Sequence, residues 1–266
     1  MATRRSDKKE IMMDGIVRQL GMFETVEVIV LADLHIGDRN CDVRLVQELV
    51  DSVANTPNRF AILAGDIMNN AVIGSPSDTY LETLSPTDQL TYAVTLFKPI
   101  ADKILAVVPG NHEERTLRTT GFDLTAAMCA ELAISDVYSP TSALLFVTLG
   151  KNRHSQAVVY SFYINHGRGG GRKPGGKINA LQDYANIIDA DIFVVGHTHM
   201  PATFKDSAFK IAQQRWTARL RERLFVNTAS SLKYGGYGQR QGFQPASNSY
   251  PIILLSGKEH RMAARI

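Results

Sequence analysis

Cysteine is scarce: Cys41 and Cys129 are the two in 266 residues, too few for a disulfide framework, and both read as ordinary buried thiols in helix-like contexts. Tryptophan occurs once, and proline and glycine form no collagen-like or low-complexity tract. No apolar run approaches the roughly 18 residues that would span a bilayer, so no membrane helix is expected. The N-terminus, Met-Ala-Thr-Arg-Arg-Ser-Asp-Lys-Lys-Glu, has positive charge but lacks the apolar segment and cleavage site of a signal peptide. A cytoplasmic protein is the expectation. With no internal repeat and no dividing linker, a single domain over residues 1–266 is expected. Residues 1–22 would form an N-terminal helical extension, and the basic portion 201–266 would complete a second sheet.

Acidic residues are scarce in one half only. Residues 151–266 hold 17 Lys and Arg against 6 Asp and Glu, whereas residues 1–150 hold 12 against 20. Such a split is either a solvated face or the surface of a protein that handles polyanions.

What the chain has in quantity is short apolar strands alternating with helices. The spacing of Ile11, Met12, Ile16, Val17 and Leu20 predicts an amphipathic helix over Ser6 to Leu20. Strands are predicted at Val26 to Leu31, Phe60 to Ala64 and Ile104 to Val108. Helices are predicted at Val43 to Ala54, after the Ser85-Pro86 cap, and at Phe122 to Ala133. Ala143 to Leu149 and Ala157 to Ile164 read as an antiparallel pair. A helix from Ile178 to Ile188 then leads to a strand at Asp191 to Val195. Ile211 to Leu224 reads equally as a helix or as a hairpin containing Trp216, and Leu224 to Asn227 and Pro251 to Leu255 read as closing strands. This order argues for an α/β core of two packed mixed sheets with helices outside.

Each strand is followed by chemistry. The strings are Ala32-Asp33-Leu34-His35, Gly65-Asp66, Pro109-Gly-Asn111-His112-Glu113, Asn165-His166-Gly167 and Gly196-His197-Thr198-His199. All lie just beyond strand C-terminal ends, the edge where open α/β sheets bind ligands. Two carboxylates, an asparagine carbonyl and several imidazoles suit a pair of divalent first-row cations better than a structural zinc.

In these five blocks, in this order, the sequence resembles the calcineurin-like metallophosphoesterases, whose pattern is D-x-H, G-D, G-N-H-(D/E), H and G-H-x-H. The resemblance spans Asp33 to His199 and extends weakly to Asn227-Thr-Ala-Ser. It implies a four-layer α-β-β-α sandwich. It also implies that Asp33, His35, Asp66 and His199 hold one metal and Asp66, Asn111, His166 and His197 the other, with Asp66 bridging. His112 is implied to be a catalytic non-ligand that stabilises the transition state or protonates the leaving oxygen. Mn²⁺ is the family's first candidate, and iron, zinc, cobalt and nickel accept the same donors. The compact chain and its Tyr-Gly-rich tail also resemble phage- or prophage-encoded members, for which the location would be the host cytoplasm.

The expected chemistry is hydrolysis of a phosphoester by water activated between two cations. The basic half favours a nucleic-acid phosphodiester, hence a nuclease; a phosphomonoesterase or a small-molecule phosphodiesterase is the alternative, and a non-catalytic scaffold the remote one. Candidate substrate contacts are Arg115, which could present a bidentate fork to phosphate, and Arg168, Arg172 and Lys173 in the glycine-rich stretch after His166. Trp216, beside Arg215, Arg219, Arg221 and Arg223, reads as a base-stacking residue or as core. Glu113 reads as orienting His112 or a neighbouring basic residue.

Overall fold

The computed structural model describes residues 13–266 except 78, 152, 153, 170, 214, 215 and 246. Along the chain run β1 (Gly15–Leu20), β2 (Thr25–Leu31), α1 (Val43–Ala54), β3 (Arg59–Ala64), α2 (Pro86–Phe97), β4 (Ile104–Val108), α3 (Glu113–Thr120) and α4 (Leu124–Glu131). There follow β5 (Ser142–Leu149), β6 (Val158–Asn165), α5 (Pro174–Gln182), β7 (Ile192–Val195), β8 (Ala202–Ala212), β9 (Thr217–Asn227), α6 (Gly236–Arg240), β10 (Ile252–Ser256) and β11 (Met262–Arg265).

Apolar runs such as Ile104–Val108 must be buried on both faces, which requires a layer on each side of their sheet. Two mixed sheets supply this. One has the order β11-β10-β2-β3-β4 and the other β1-β5-β6-β7-β9-β8. Alternate side chains of β2 divide between the layers: Val28 and Val30 join Leu145, Val147, Phe162 and Val226 between the sheets, while Ile29 and Leu31 pack outward beneath α1, α2 and α4. On the other outer face Phe193, Phe225 and Tyr163 pack against Leu181 of α5. The result is the expected four-layer sandwich. β2, β3 and β4 run parallel, as do β6, β7 and β9, so the loops after these six strands gather at one edge.

Two expectations are corrected and one open alternative is decided. Gly15–Leu20 is a strand, paired in parallel along β5, where a helix was predicted; the rest of that predicted helix reaches residues outside the described set. Its apolar spacing suited both periods, and the β-branched Ile16 and Val17 were free to take the ladder that β5 offers. The portion 201–266 does not complete one sheet but serves both, β8 and β9 extending one and β10 and β11 the other. Ile211 to Leu224 is a hairpin, and its Trp216 is 94% exposed rather than core.

Asp191, at the start of β7, locks the end of the sheets away from the gathered loops. Its carboxylate accepts from Ser161 N at 2.8 Å and Oγ at 2.7 Å and from Arg221 Nη2 at 2.7 Å. His260 Nε2 lies 3.6 Å from the same carboxylate, and the His260 ring stacks on Tyr160 at 4.6 Å. Asp191 raises the His260 pKa above its ordinary value. The contribution of this pair to stability is therefore complete below the unfolded histidine pKa of about 6.5 and is lost as pH rises through the raised one. The expected outcome for His260→Gln is a melting temperature below wild type at pH 6, with the gap closing by pH 9; a gap constant across that range in a thermal melt refutes the pairing.

Candidate metal centre

The gathered loops bring all seven expected ligand residues together. Nε2 of His35 and Nε2 of His199 lie 3.1 Å apart, and His199 Nε2 is 3.3 Å from Asp33 Oδ1. Beside them, His166 Nε2 is 3.2 Å from Asp66 Oδ2 and 3.1 Å from Asn111 Oδ1, which His197 Nδ1 approaches to 2.8 Å. Three convergent groups of the kind that hold cations result: Asp33, His35 and His199; His35, Asp66 and His112; and Asp66, His166 and His197. Asp66 belongs to two of them. His197 and His199, two residues apart, point into different groups.

The backbone is strained where it delivers these side chains. Asp33, His35, Asp66, His197 and His199 all have φ between 49° and 65°, the left-handed region that non-glycine residues rarely adopt. Strain of this kind persists only where surrounding structure over-determines it, and it clusters at functional sites. Here the surroundings are unusually crowded. A Cβ on Gly110 would lie 2.1 Å from Asp66 Oδ1, and one on Gly196 2.7 Å from Asp33 Oδ2. Glycine thus sits in two of the blocks because a carboxylate occupies the space of its side chain.

A second layer fixes the ligands. Asp33 Oδ2 accepts from His197 N at 2.8 Å and Asp66 Oδ1 from His112 N at 2.9 Å. The His166 Nδ1–H donates to Ala64 O at 2.8 Å, which turns the Nε2 lone pair toward the site. The His112 Nδ1–H donates to Asn69 O at 2.6 Å, so its Nε2 faces Asp66 Oδ2 at 3.6 Å and donates a proton there only as imidazolium.

Glu113, expected to orient His112 or a basic neighbour, does something else. Its buried carboxylate accepts from the backbone amides of Asp66 (3.0 Å), Met68 (2.9 Å) and Gly110 (2.9 Å), stapling two ligand loops to each other. Burial and the adjacent Asp66 push its pKa up to about 7.

The donor set fits divalent cations. Asp33 Oδ1 and His35 Nδ1 are buried and have no hydrogen-bond partner among the described residues. An orphaned carboxylate oxygen at a fully buried position is costly without a positive charge nearby. Burial, helped by His112 and His199, holds His35 well below its ordinary pKa, so it is a neutral imidazole with a lone pair to give. Burial opposes ionisation of Asp66, but His166 and His112 outweigh it and hold the carboxyl well below its ordinary value.

The expected substrate contacts separate. Arg115 turns Nη1 to Asn69 O (3.1 Å) and Ser77 Oγ (2.9 Å), binding down the loop after β3. Arg168, Arg172 and Lys173 stay exposed on the loop after His166, Arg172 lying 5.7 Å over the Phe243 ring. Lys177 of that stretch donates to Thr198 O at 2.8 Å, tying α5 to the histidine loop. The arginines around Trp216 lie elsewhere. β9 runs parallel to β7, so its end at Asn227 is near the site and its start, next to Trp216, is about ten residues or roughly 33 Å away. Arg221 pairs with Asp191 and Arg223 with Asp206, each at 2.7 Å, and Arg215 lies outside the described residues.

Two supports had little signal in sequence. Gln89, fully buried on α2, accepts from Asn70 N and donates to Glu82; in the helical pattern it reads as an ordinary position. Ser230 and Ser231, after β9, both donate to Asp33 O, a role hinted at only by the Asn-Thr-Ala-Ser-Ser run.

The family model described as calcineurin-like phosphoesterase matches residues 26–201. Similar solved structures include a Vps29 single mutant from Entamoeba histolytica (16% identity, 87% of each chain covered, TM-score 0.45). Others are the calcineurin-like phosphoesterase YfkN from Bacillus subtilis (14%, 90% of each chain, 0.41) and the Pseudomonas putida nuclease MPE (15%, 90% of this chain and 87% of that one, 0.38). Among curated proteins none matches.

Replacing Gly110 by Ala forces a methyl into Asp66. The expected cost is at least the roughly 1–3 kcal/mol of an overpacked core, read as a lowered denaturation midpoint with unchanged m-value. An unchanged midpoint contradicts the crowding described.

Proposed function

The chain belongs to the calcineurin-like phosphoesterase family, and from that premise we propose that it is a metal-dependent phosphodiesterase whose substrate is nucleic acid. The observation that carries the reading is the shared carboxylate of Asp66 between two convergent histidine groups. One divalent cation would be held by Asp33, His35, Asp66 and His199 and a second by Asp66, Asn111, His166 and His197. Mn²⁺ is the first candidate. Such a pair supplies an activated water and neutralises charge on the phosphoryl oxygens.

The chain's own residues do the rest. His112, with Nε2 facing the site, stabilises the charge that develops in the transition state or, as imidazolium, protonates the leaving oxygen, burial opposing that charged form. Arg168, Arg172 and Lys173 draw the phosphate backbone toward the ligands. Arg115 holds the loop against which His112 is fixed, so it acts through position rather than contact.

One observation favours a second reading. Several cations of residues 151–266 are held in ion pairs on the surface: Lys205 pairs with Glu222, Lys210 with Asp189, Arg221 with Asp191 and Arg223 with Asp206, and Lys233, Lys258 and Arg265 pair with Asp42, Glu24 and Glu27 of the acidic half. A small phosphodiester needs only the few cations at the mouth.

Asp66→Asn and His197→Ala are each expected to abolish hydrolysis of bis-p-nitrophenyl phosphate in Mn²⁺; most activity surviving in either metal-loaded variant refutes the site. Substrate class is read by salt. Cleavage of DNA should fall steeply between low and physiological salt while turnover of the small diester barely changes. Equal salt responses, or no DNA cleavage at all, favour the small-molecule reading.

A further inference from the structure

The β8–β9 hairpin leaves the body beside the metal centre and carries its apolar side chains outward. Phe209 is 72% exposed, Ile211 75%, Leu220 62% and Trp216 94%. Phe209 pairs with Leu220 and Ile211 with Ala218, so Phe209, Ile211, Ala218 and Leu220 stand on one face of the hairpin. Among the described residues β8 is also the last strand of its sheet and pairs with β9 only. An eleven-residue edge with an apolar face is a template for another strand.

We propose that this edge is a homodimer interface, in which β8 pairs antiparallel with β8 of a second copy about a two-fold axis at Ala208. The charges on the strand select both the partner and the register. A two-fold axis normal to the sheet keeps each face continuous, which restricts the axis to a residue rather than a point between residues. Centred on Asp206 or on Lys210, the strands oppose like charges, which is destabilising. Centred on Ser207 or on Phe209, they leave Asp206 and Lys210 opposite Ala or Phe. Centred on Ala208, Asp206 faces Lys210 of the partner subunit and Lys210 faces Asp206 of the partner subunit. No other symmetric register along β8 joins opposite charges. Within each chain Asp206 already receives Arg223 and Gln182, and Lys210 reaches Asp189, so the interface extends an existing network across the axis. On the apolar face the two Phe209 rings become diagonal neighbours, within the reach of aromatic side chains.

The register has a consequence for the metal centre. It lays the tip of each hairpin, with Gln213 and Trp216, level with Ala202 and Thr203 of the partner subunit. Those residues follow the histidine loop directly. Trp216, remote from the centre of its own chain, stands at the rim of the other.

Light scattering on the full chain should give twice 29.3 kDa. Phe209→Lys changes an exposed side chain and should weaken the dimer by about tenfold or more in Kd by sedimentation equilibrium. Both native thiols are buried, so an introduced cysteine reports alone. Ala208→Cys should form an intermolecular disulfide under mild diamide oxidation, and Thr203→Cys should not. A single-chain mass at the highest soluble concentration overturns the interface, as does a dimer indifferent to Phe209→Lys. A dimer that cross-links through Thr203→Cys and not through Ala208→Cys overturns the register.

Discussion

Three carboxylates, Asp33, Asp66 and Glu113, are buried beneath one edge of the sandwich, and the surrounding structure is arranged to keep them there. Burying one ionised carboxylate without compensation costs several kcal/mol or more. Each of the three meets that cost differently. Glu113 takes three backbone amides and has its proton affinity raised. Asp66 faces His166 and His112. Asp33 uses one oxygen for a backbone amide and leaves the other without a hydrogen-bond partner among the described residues, 3.3 Å from His199 Nε2. That oxygen is what distinguishes a cation site from a polar knot made for stability, such as the one around Asp191 at the opposite end, where the carboxylate is supplied with donors by Ser161 and Arg221.

The same requirement explains why the sheets have to be parallel where they are. Parallel strands direct their C-terminal ends to one edge, and only there do loops from six different strands meet. Each loop then contributes one or two side chains, and no element could supply the set by itself. Glu113 joins the loops after β3 and β4, His166 reaches from the loop after β6 to the end of β3, and Ser230 and Ser231 reach from the loop after β9 to Asp33. The centre is therefore also the seam that fastens the two sheets together at that edge.

The convergence of the candidate ligand residues and most of the elements were legible in the sequence because both rest on local signals. Val43–Ala54 and Ile104–Val108 have the predicted bounds, and the five blocks sit at strand ends as their order suggests. What escaped depends on pairing between distant segments. Gly15–Leu20 is a strand only because β5 lies open beside it. Trp216 is exposed only because its hairpin outruns the neighbouring strands, which no window of sequence records. The partners of single cations were hidden for the same reason: Arg221 and Arg223 look free until Asp191 and Asp206 are brought beside them. Glu113 was noticed, but its three amides come from Asp66, Met68 and Gly110, and so its role as a staple was invisible.

The left-handed backbone at Asp33, His35, Asp66, His197 and His199 bears on how such a chain evolves. Each non-glycine residue held there costs roughly 1–2 kcal/mol, and five of them together rival the whole net stability of a folded domain, about 5–15 kcal/mol. Selection for folding alone would replace these residues with glycine or asparagine. A lineage that stopped needing the chemistry would find its first stabilising mutations at the ligands themselves. Relaxed selection would thus erode the centre before it touched the core.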